Sequence, residues 1–275
     1  MTEAELYSVL KGVYVPTHLH PPESLKYYEE FTFRQDDILI VTYPKSGTTW
    51  MQEIVPLIVS EGDMTPVLTV PNWDRVPWLE EHRAMLLSLE QRPSPRVFAT
   101  HFHHRMMNES YFKMKPRVLY VMRNPKDVFT SSYHYYGMAS YLVNPGTQDE
   151  FMEKFLDGNI MFGSWFDHVK GWINAEEKES ILYIFYEEMI AVVRCRSSST
   201  EKNVFTQCGC LIYPSYCSWL SQTNHNTCYH IRIRRIKKRE REGSKTADAL
   251  LNSQLFRQTY LHLRLTSFGS FRSAS

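Results

Sequence analysis

The chain has 275 residues, 43% of them hydrophobic and 14% aromatic, with a formal net charge of +1. That composition excludes a disordered chain and fits one sizeable α/β core or two small domains. The near-neutral total points to no charged partner, but it averages two unlike parts: residues 1–190 hold 17 Lys and Arg against 26 Asp and Glu, and residues 191–275 hold 14 against 4.

All five cysteines (Cys195, Cys208, Cys210, Cys217 and Cys228) lie in the second part, so a seam falls near Ala191. A body without cysteine fits a reducing compartment. The opening Met1-Thr-Glu-Ala-Glu-Leu6 has neither the basic start nor the apolar run of a secretory signal. There is no run of the roughly 18 apolar residues that a membrane span needs. The expected location is the cytoplasm.

In chain order, the first strong element is residues 37–42, Asp-Ile-Leu-Ile-Val-Thr, a short β-branched run that reads as a buried parallel strand. From Thr48, Met51, Ile54, Val55 and Ile58 recur at helical spacing, with Thr48 or Thr49 expected as N-cap and Pro56 expected to kink the helix. Residues 96–100 form a second strand and 117–122 a third, followed by a turn at Asn124-Pro125 and a helix from Lys126 to about Tyr136. Phe151, Phe155, Trp165, Phe166, Val169 and Trp172 are spaced as on helices, and 181–185 is a further strand. Strands alternating with helices predict an α/β fold, a parallel sheet flanked by helices on both faces.

Past Ala191 this pattern stops. The basic run Arg232–Arg241 would suit nucleic acid or an anionic membrane, but a solvated segment explains it more simply, and no nucleic-acid partner is expected. Cys208-Gly-Cys210 with Cys217 and Cys228 lacks the usual C-x-x-C pair of a zinc site, so no metal is expected. Residues 1–190 are read as one α/β domain and 191–275 as an atypical basic tail.

The loop Tyr43-Pro-Lys-Ser-Gly-Thr-Thr-Trp50 leaves the first strand and feeds a helix N-terminus, where free backbone N–H groups and the helix dipole favour an anion. Gly47 lets the backbone approach a phosphate, Thr48 and Thr49 add hydroxyls, and Lys45 adds a cation. A nucleotide triphosphatase loop reads G-x-x-x-x-G-K-[ST], with its lysine after the glycine, so the order here argues against a kinase. Arg123-Asn-Pro-Lys-Asp-Val-Phe-Thr-Ser131 begins with a planar guanidinium at a strand end and places Ser131 on the following helix.

The string 43–50 resembles the donor-binding loop of the cytosolic sulfotransferases, and 123–131 resembles the segment of that family that binds the donor's 3′-phosphate. The resemblance implies a P-loop-like sulfotransferase fold and the co-substrate 3′-phosphoadenosine 5′-phosphosulfate. It implies that Lys45, Ser46, Gly47, Thr48, Thr49, Trp50, Arg123 and Ser131 hold the donor, with Tyr186 near the adenine. It also implies His101, in the pair Thr100-His101, as the base for the acceptor hydroxyl. Lys45 would then stabilise the leaving phosphate, and Ser131 would restrain that lysine. An imidazole of ordinary pKa about 6.5 suits a base near neutral pH, although His103 and His104 compete for the role.

Ala99, two residues before the histidine, where phenol-type members often carry Lys, leans with Asn72–Trp78 towards the hydroxysteroid-type branch. The implied partner is a small lipophilic hydroxyl acceptor. Trp73, Trp78, Phe102, Tyr133 and Tyr136 are candidate pocket residues, with core packing an equal alternative for each.

The resemblance runs from about residue 10 to about 190. The family's Arg-Lys-Gly-x-x-Gly-Asp-Trp-Lys string, which closes over the 3′-phosphate, and its C-terminal dimer segment are not found in this sequence. A non-catalytic nucleotide-binding protein therefore stands as the alternative reading, and a homodimer is left open.

Overall fold

The computed structural model of the protein describes residues 3–190, so expectations for the basic tail and its cysteines fall outside the described residues. An antiparallel hairpin leads, β1 (Tyr7–Leu10) against β2 (Val13–Pro16). Lys11 and Gly12 turn it, both at positive φ (48° and 78°), as a two-residue hairpin turn matched to strand twist requires. Helix α1 (Pro22–Glu30) follows, with a proline at its first position, where no N–H is needed.

The main sheet has four strands: β3 (Ile38–Thr42), β4 (Val97–Thr100), β5 (Arg117–Met122) and β6 (Ile181–Phe185). Their spatial order is β4-β3-β5-β6 and every pairing is parallel. All five residues of β3 are buried, as the continuous apolar run predicts for a central parallel strand. The outer edge of β4 is not left open. Leu79 N–H donates to Ala99 O and Ala99 N–H donates to Pro77 O, each at 2.9 Å, so residues 77–79 lie along it as a strap.

Alternate residues serve opposite faces of the sheet. Ile38, Ile40, Leu119 and Val121 pack with Met51, Val55 and Ile58 of α2 (Thr48–Val59). Leu39, Val41, Val118 and Tyr120 face the larger core. That core draws Tyr111 from α3 (Glu109–Met114), Phe129 from α4 (Pro125–Met138), Phe155 from α5 (Gln148–Asp157) and Trp172 from α6 (Trp165–Ile173). At the amino ends of the strands, Arg96 donates from Nε and Nη2 to Asp37 at 2.8 and 2.6 Å, both residues buried.

One local expectation is corrected, the N-cap. The N-cap of α2 is Gly47, at φ 107°, and neither threonine caps it; the Thr48 hydroxyl is 2.6 Å from that of Thr42 instead. Pro56 sits within α2 without ending it. A proline at 56 leaves the carbonyl four residues earlier without its helical donor, and Arg75 Nη2 donates to Gln52 O at 3.2 Å while pairing with Glu53 at 2.6 Å. The 151–172 periodicity spans two helices. Gly158, left-handed at φ 76°, caps the end of α5, and the Ser164 hydroxyl accepts from Asp167 N–H to start α6.

Candidate functional site

All four strands of the main sheet deliver a site residue at their carboxyl ends, the edge where open α/β sheets bind ligands. The loop 43–50 follows β3, His101 follows β4, Arg123 follows β5 and Tyr186 follows β6.

The loop is held from within. Ser46 N–H donates to Tyr43 O at 3.1 Å, and the buried Tyr43 hydroxyl donates to Gly163 O at 2.7 Å. Lys45 and Gly47 both take positive φ, 67° and 107°, which turns the backbone into the start of α2. A Cβ on Gly47 would lie 2.7 Å from Cδ2 of Tyr186, so only glycine fits beneath that ring. Arg123 stacks on the same ring with Cζ 4.3 Å from its centroid and donates from Nη1 to Lys45 O at 2.7 Å. Trp50 meets Tyr186 edge-on at 5.8 Å, and Glu187 accepts from Asn124 N–H at 2.8 Å, tying the ends of β5 and β6. Ser46 Oγ and Arg123 Nε are buried with no hydrogen-bond partner among the described residues. Buried polar atoms are normally satisfied, so each of these two is left with capacity for a further partner.

Lys45 is half-buried, and its Nζ rests 4.0 Å from the centroid of the Tyr135 ring. Burial first, and then the Arg123 charge, hold its ammonium below the usual lysine range. Tyr135 lies one helical turn beyond Ser131, which is itself partly buried on α4. Thr49 is exposed at the start of α2.

His101 is fixed at both ring nitrogens. Nδ1 lies 2.8 Å from Thr42 O, which can only accept, and Trp78 Nε1, which can only donate, gives its proton to Nε2 at 3.1 Å. The two partners together select the neutral tautomer with hydrogen on Nδ1 and a lone pair on Nε2. Burial pushes the imidazole down to about 4, with His20 and Lys45 adding to the shift and the Thr42 carbonyl opposing it. The Thr42 hydroxyl, 3.3 Å from Nδ1, also reaches Thr48, so one residue joins His101 to the start of α2. The backbone N–H of His101 donates to Glu80 at 2.8 Å. Glu80 is fully buried, and that burial raises its carboxyl to about 7.

The neighbouring histidines are engaged elsewhere: His103 Nε2 bonds Phe162 O at 2.8 Å, and His104 Nε2 bonds Glu177 at 2.7 Å. Of the five candidate pocket residues, Phe102 and Tyr136 are buried in the larger core, Tyr133 packs against it, and Trp73 is 53% exposed. Trp78 alone of the five bonds His101. The supports the sequence reading missed are Thr42, Glu80, Tyr135 and Glu187. Thr42 had one usable signal, as the last strand residue before the loop. Among the described residues no cluster of three or more His, Cys, Asp or Glu is placed to hold a metal, and no helix is long and apolar enough to cross a membrane.

Comparison with known proteins gives one family. Residues 35–196 match the sulfotransferase domain. Mouse "Sulfotransferase 2B1" is 46% identical over 184 residues, covering 66% of this chain and 54% of the relative. Guinea pig "3-alpha-hydroxysteroid sulfotransferase" is 40% identical over 193 residues, covering 70% and 66%. The chain thus spans between about half and two-thirds of the length of these relatives. Among solved structures, mouse sulfotransferase SULT7A1 complexed with PAP superposes with a TM-score of 0.58 at 27% identity, over 74% of this chain and 73% of that one. On the strength of the domain match and the sheet that presents the loop, His101 and Arg123 on one edge, the chain belongs to the sulfotransferase family.

Proposed function

We propose that the protein transfers a sulfuryl group from 3′-phosphoadenosine 5′-phosphosulfate to the hydroxyl of a small lipophilic acceptor, of hydroxysteroid rather than phenol type. The observation that carries this reading is the fixed tautomer of His101, whose Nε2 carries no hydrogen and presents its lone pair to Trp78 Nε1 at the sheet edge where the loop 43–50 opens. The donor's fit rests on three further features: the unpartnered Ser46 Oγ and Arg123 Nε, and the approach at Gly47 that a side chain would block.

In this reading Lys45, Ser46, Gly47, Thr48, Thr49 and Trp50 hold the phosphosulfate end, Arg123 and Ser131 the 3′-phosphate, and Tyr186 the adenine. When bound, the donor supplies an activated sulfuryl group on a phosphate. His101 Nε2 accepts the proton of the acceptor hydroxyl, and its Nδ1–H stays on Thr42 O to steady the imidazolium. Lys45 Nζ, partly desolvated, offers positive charge to the phosphate oxygen as negative charge gathers there. Lys and Arg supply the cations, so the scheme needs no metal. The hydroxysteroid preference follows Ala99 and the relatives named 3-alpha- and 3-beta-hydroxysteroid sulfotransferase. A cytoplasmic location goes with it.

Radiolabelled transfer by the full chain to a panel of hydroxysteroids and phenols tests the proposal. Labelled steroid sulfate, lost in His101→Ala, is expected; a folded chain that labels no acceptor sinks it. Because the family match stops at residue 196, a binding-only protein is the second reading. It predicts adenosine 3′,5′-bisphosphate binding without turnover.

A further inference from the structure

Trp78 stands on the nitrogen that the proposed chemistry needs. The lone pair of a neutral imidazole takes one hydrogen bond in the ring plane, and here the indole N–H occupies it at 3.1 Å. An acceptor O–H that is to give up its proton must use the same lone pair. The two contacts therefore exclude each other.

The backbone around Trp78 cannot move aside without breaking several bonds. Pro77 O and Leu79 N–H are both tied to Ala99 of β4, and Val76 O accepts from Gln52 at 2.8 Å. Two residues on, Glu80 grips the backbone N–H of His101. One strap thus supports the base from behind and caps it in front. Only rotation of the indole about its side-chain bonds frees Nε2. The indole is partly buried against the apolar layer that contains Ile40, Val55 and Ala99. Displacing it forfeits that contact, which an apolar ring carried by the acceptor can replace and a small alcohol cannot.

We propose that Trp78 is a positioning residue whose indole N–H holds the lone pair of His101 Nε2 until an acceptor with a broad apolar ring takes the indole's place. The inference rests on reading His101 as the base. The other polar or charged groups facing His101 are Thr42 from β3, Lys45 from the loop, Glu80 from the strap, His20 from the segment before α1, and His168 from α6, while the Phe162 ring stands 5.0 Å away. None of these donates to Nε2.

The test uses the full chain labelled with 15N. A coupling across the hydrogen bond between Trp78 Nε1 and His101 Nε2 is expected, and androsterone added with adenosine 3′,5′-bisphosphate should abolish it. In Trp78→Phe the neutral ring loses its donor, so the His101 titration should move up by roughly half to one pH unit. No coupling in the free chain, coupling that persists in the androsterone complex, or an unchanged His101 titration in folded Trp78→Phe overturns the proposal. The coupling needs no variant, so a Trp78→Phe chain that fails to fold leaves it decisive. Neither readout needs turnover, so their failure is distinct from failure to transfer a sulfuryl group.

Discussion

Tyr186 lies so close over Gly47 that a Cβ there would come within 2.7 Å of the ring, and Gly47 itself sits at φ 107°, where other residues are strained. Arg123 stacks on the same ring, so moving Tyr186 also moves the cation. Gly47→Ala is therefore expected to weaken adenosine 3′,5′-bisphosphate binding about tenfold or more, equivalent to roughly 1.4 kcal/mol. Equilibrium dialysis at matched salt reads the difference, and equal affinities would refute this account of the glycine.

His101 is held near a pKa of about 4, chiefly by burial. In the proposed reaction the neutral form is the base, so lowering the pKa widens the working range downward. The acid limb of kcat/KM should fall towards pH 4 to 5, well below the ordinary imidazole value of about 6.5. A limb centred near 6.5 would show that His101 titrates as an exposed residue or is not the base.

Glu80 shifts the other way, from 4.5 to about 7, because burial penalises its charge while the His101 N–H opposes the shift. A raised carboxyl stabilises the fold at pH below its unfolded value, and that contribution is lost as pH rises through about 7. Glu80→Gln keeps an acceptor for His101 and cannot ionise. It should gain stability relative to the wild type between pH 5 and pH 8, by up to about 3 kcal/mol. Its removal also relieves Glu81, which burial and then the Glu80 charge raise to about 8. Urea unfolding at the two pH values measures this; an equal difference at both would be inconsistent with a buried, titrating Glu80.

The Asp37–Arg96 pair is buried at the opposite end of the sheet, where Arg96 also donates to Thr32 O at 2.9 Å. Arg96→Met removes one partner and strands a buried carboxylate, a change that typically costs about 3–5 kcal/mol. Denaturant midpoints should drop accordingly. A loss under about 1 kcal/mol would mean that the carboxylate finds water or a new donor.

Much of the fold was readable because its strands are continuous apolar runs. Residues 117–122 and 181–185 appear as expected, and β3 and β4 differ by one residue at their first positions, where Asp37 and Arg96 turn to each other. Apolar spacing alone does not set the boundary between α5 and α6, because it continues across 158–164; Gly158 and Ser164 carry the stop and start signals. Less of the candidate site was legible. The loop and Arg123 have local patterns, but Trp78 and Glu80 reach His101 only because residues 77–79 pair with β4. No periodicity announces a partner 23 residues away. The Tyr135 contact is equally non-local, since the seat of Lys45 depends on how α4 crosses the loop.

The proposed donor site is the part on which every functional statement depends. Calorimetric titration of the full 275-residue chain with adenosine 3′,5′-bisphosphate measures it directly. Saturable binding at one site is predicted, weakened about ten- to a hundredfold in Arg123→Ala through loss of charge-assisted hydrogen bonds. A folded chain that takes up no bisphosphate, or binds it equally well without Arg123, would contradict the account.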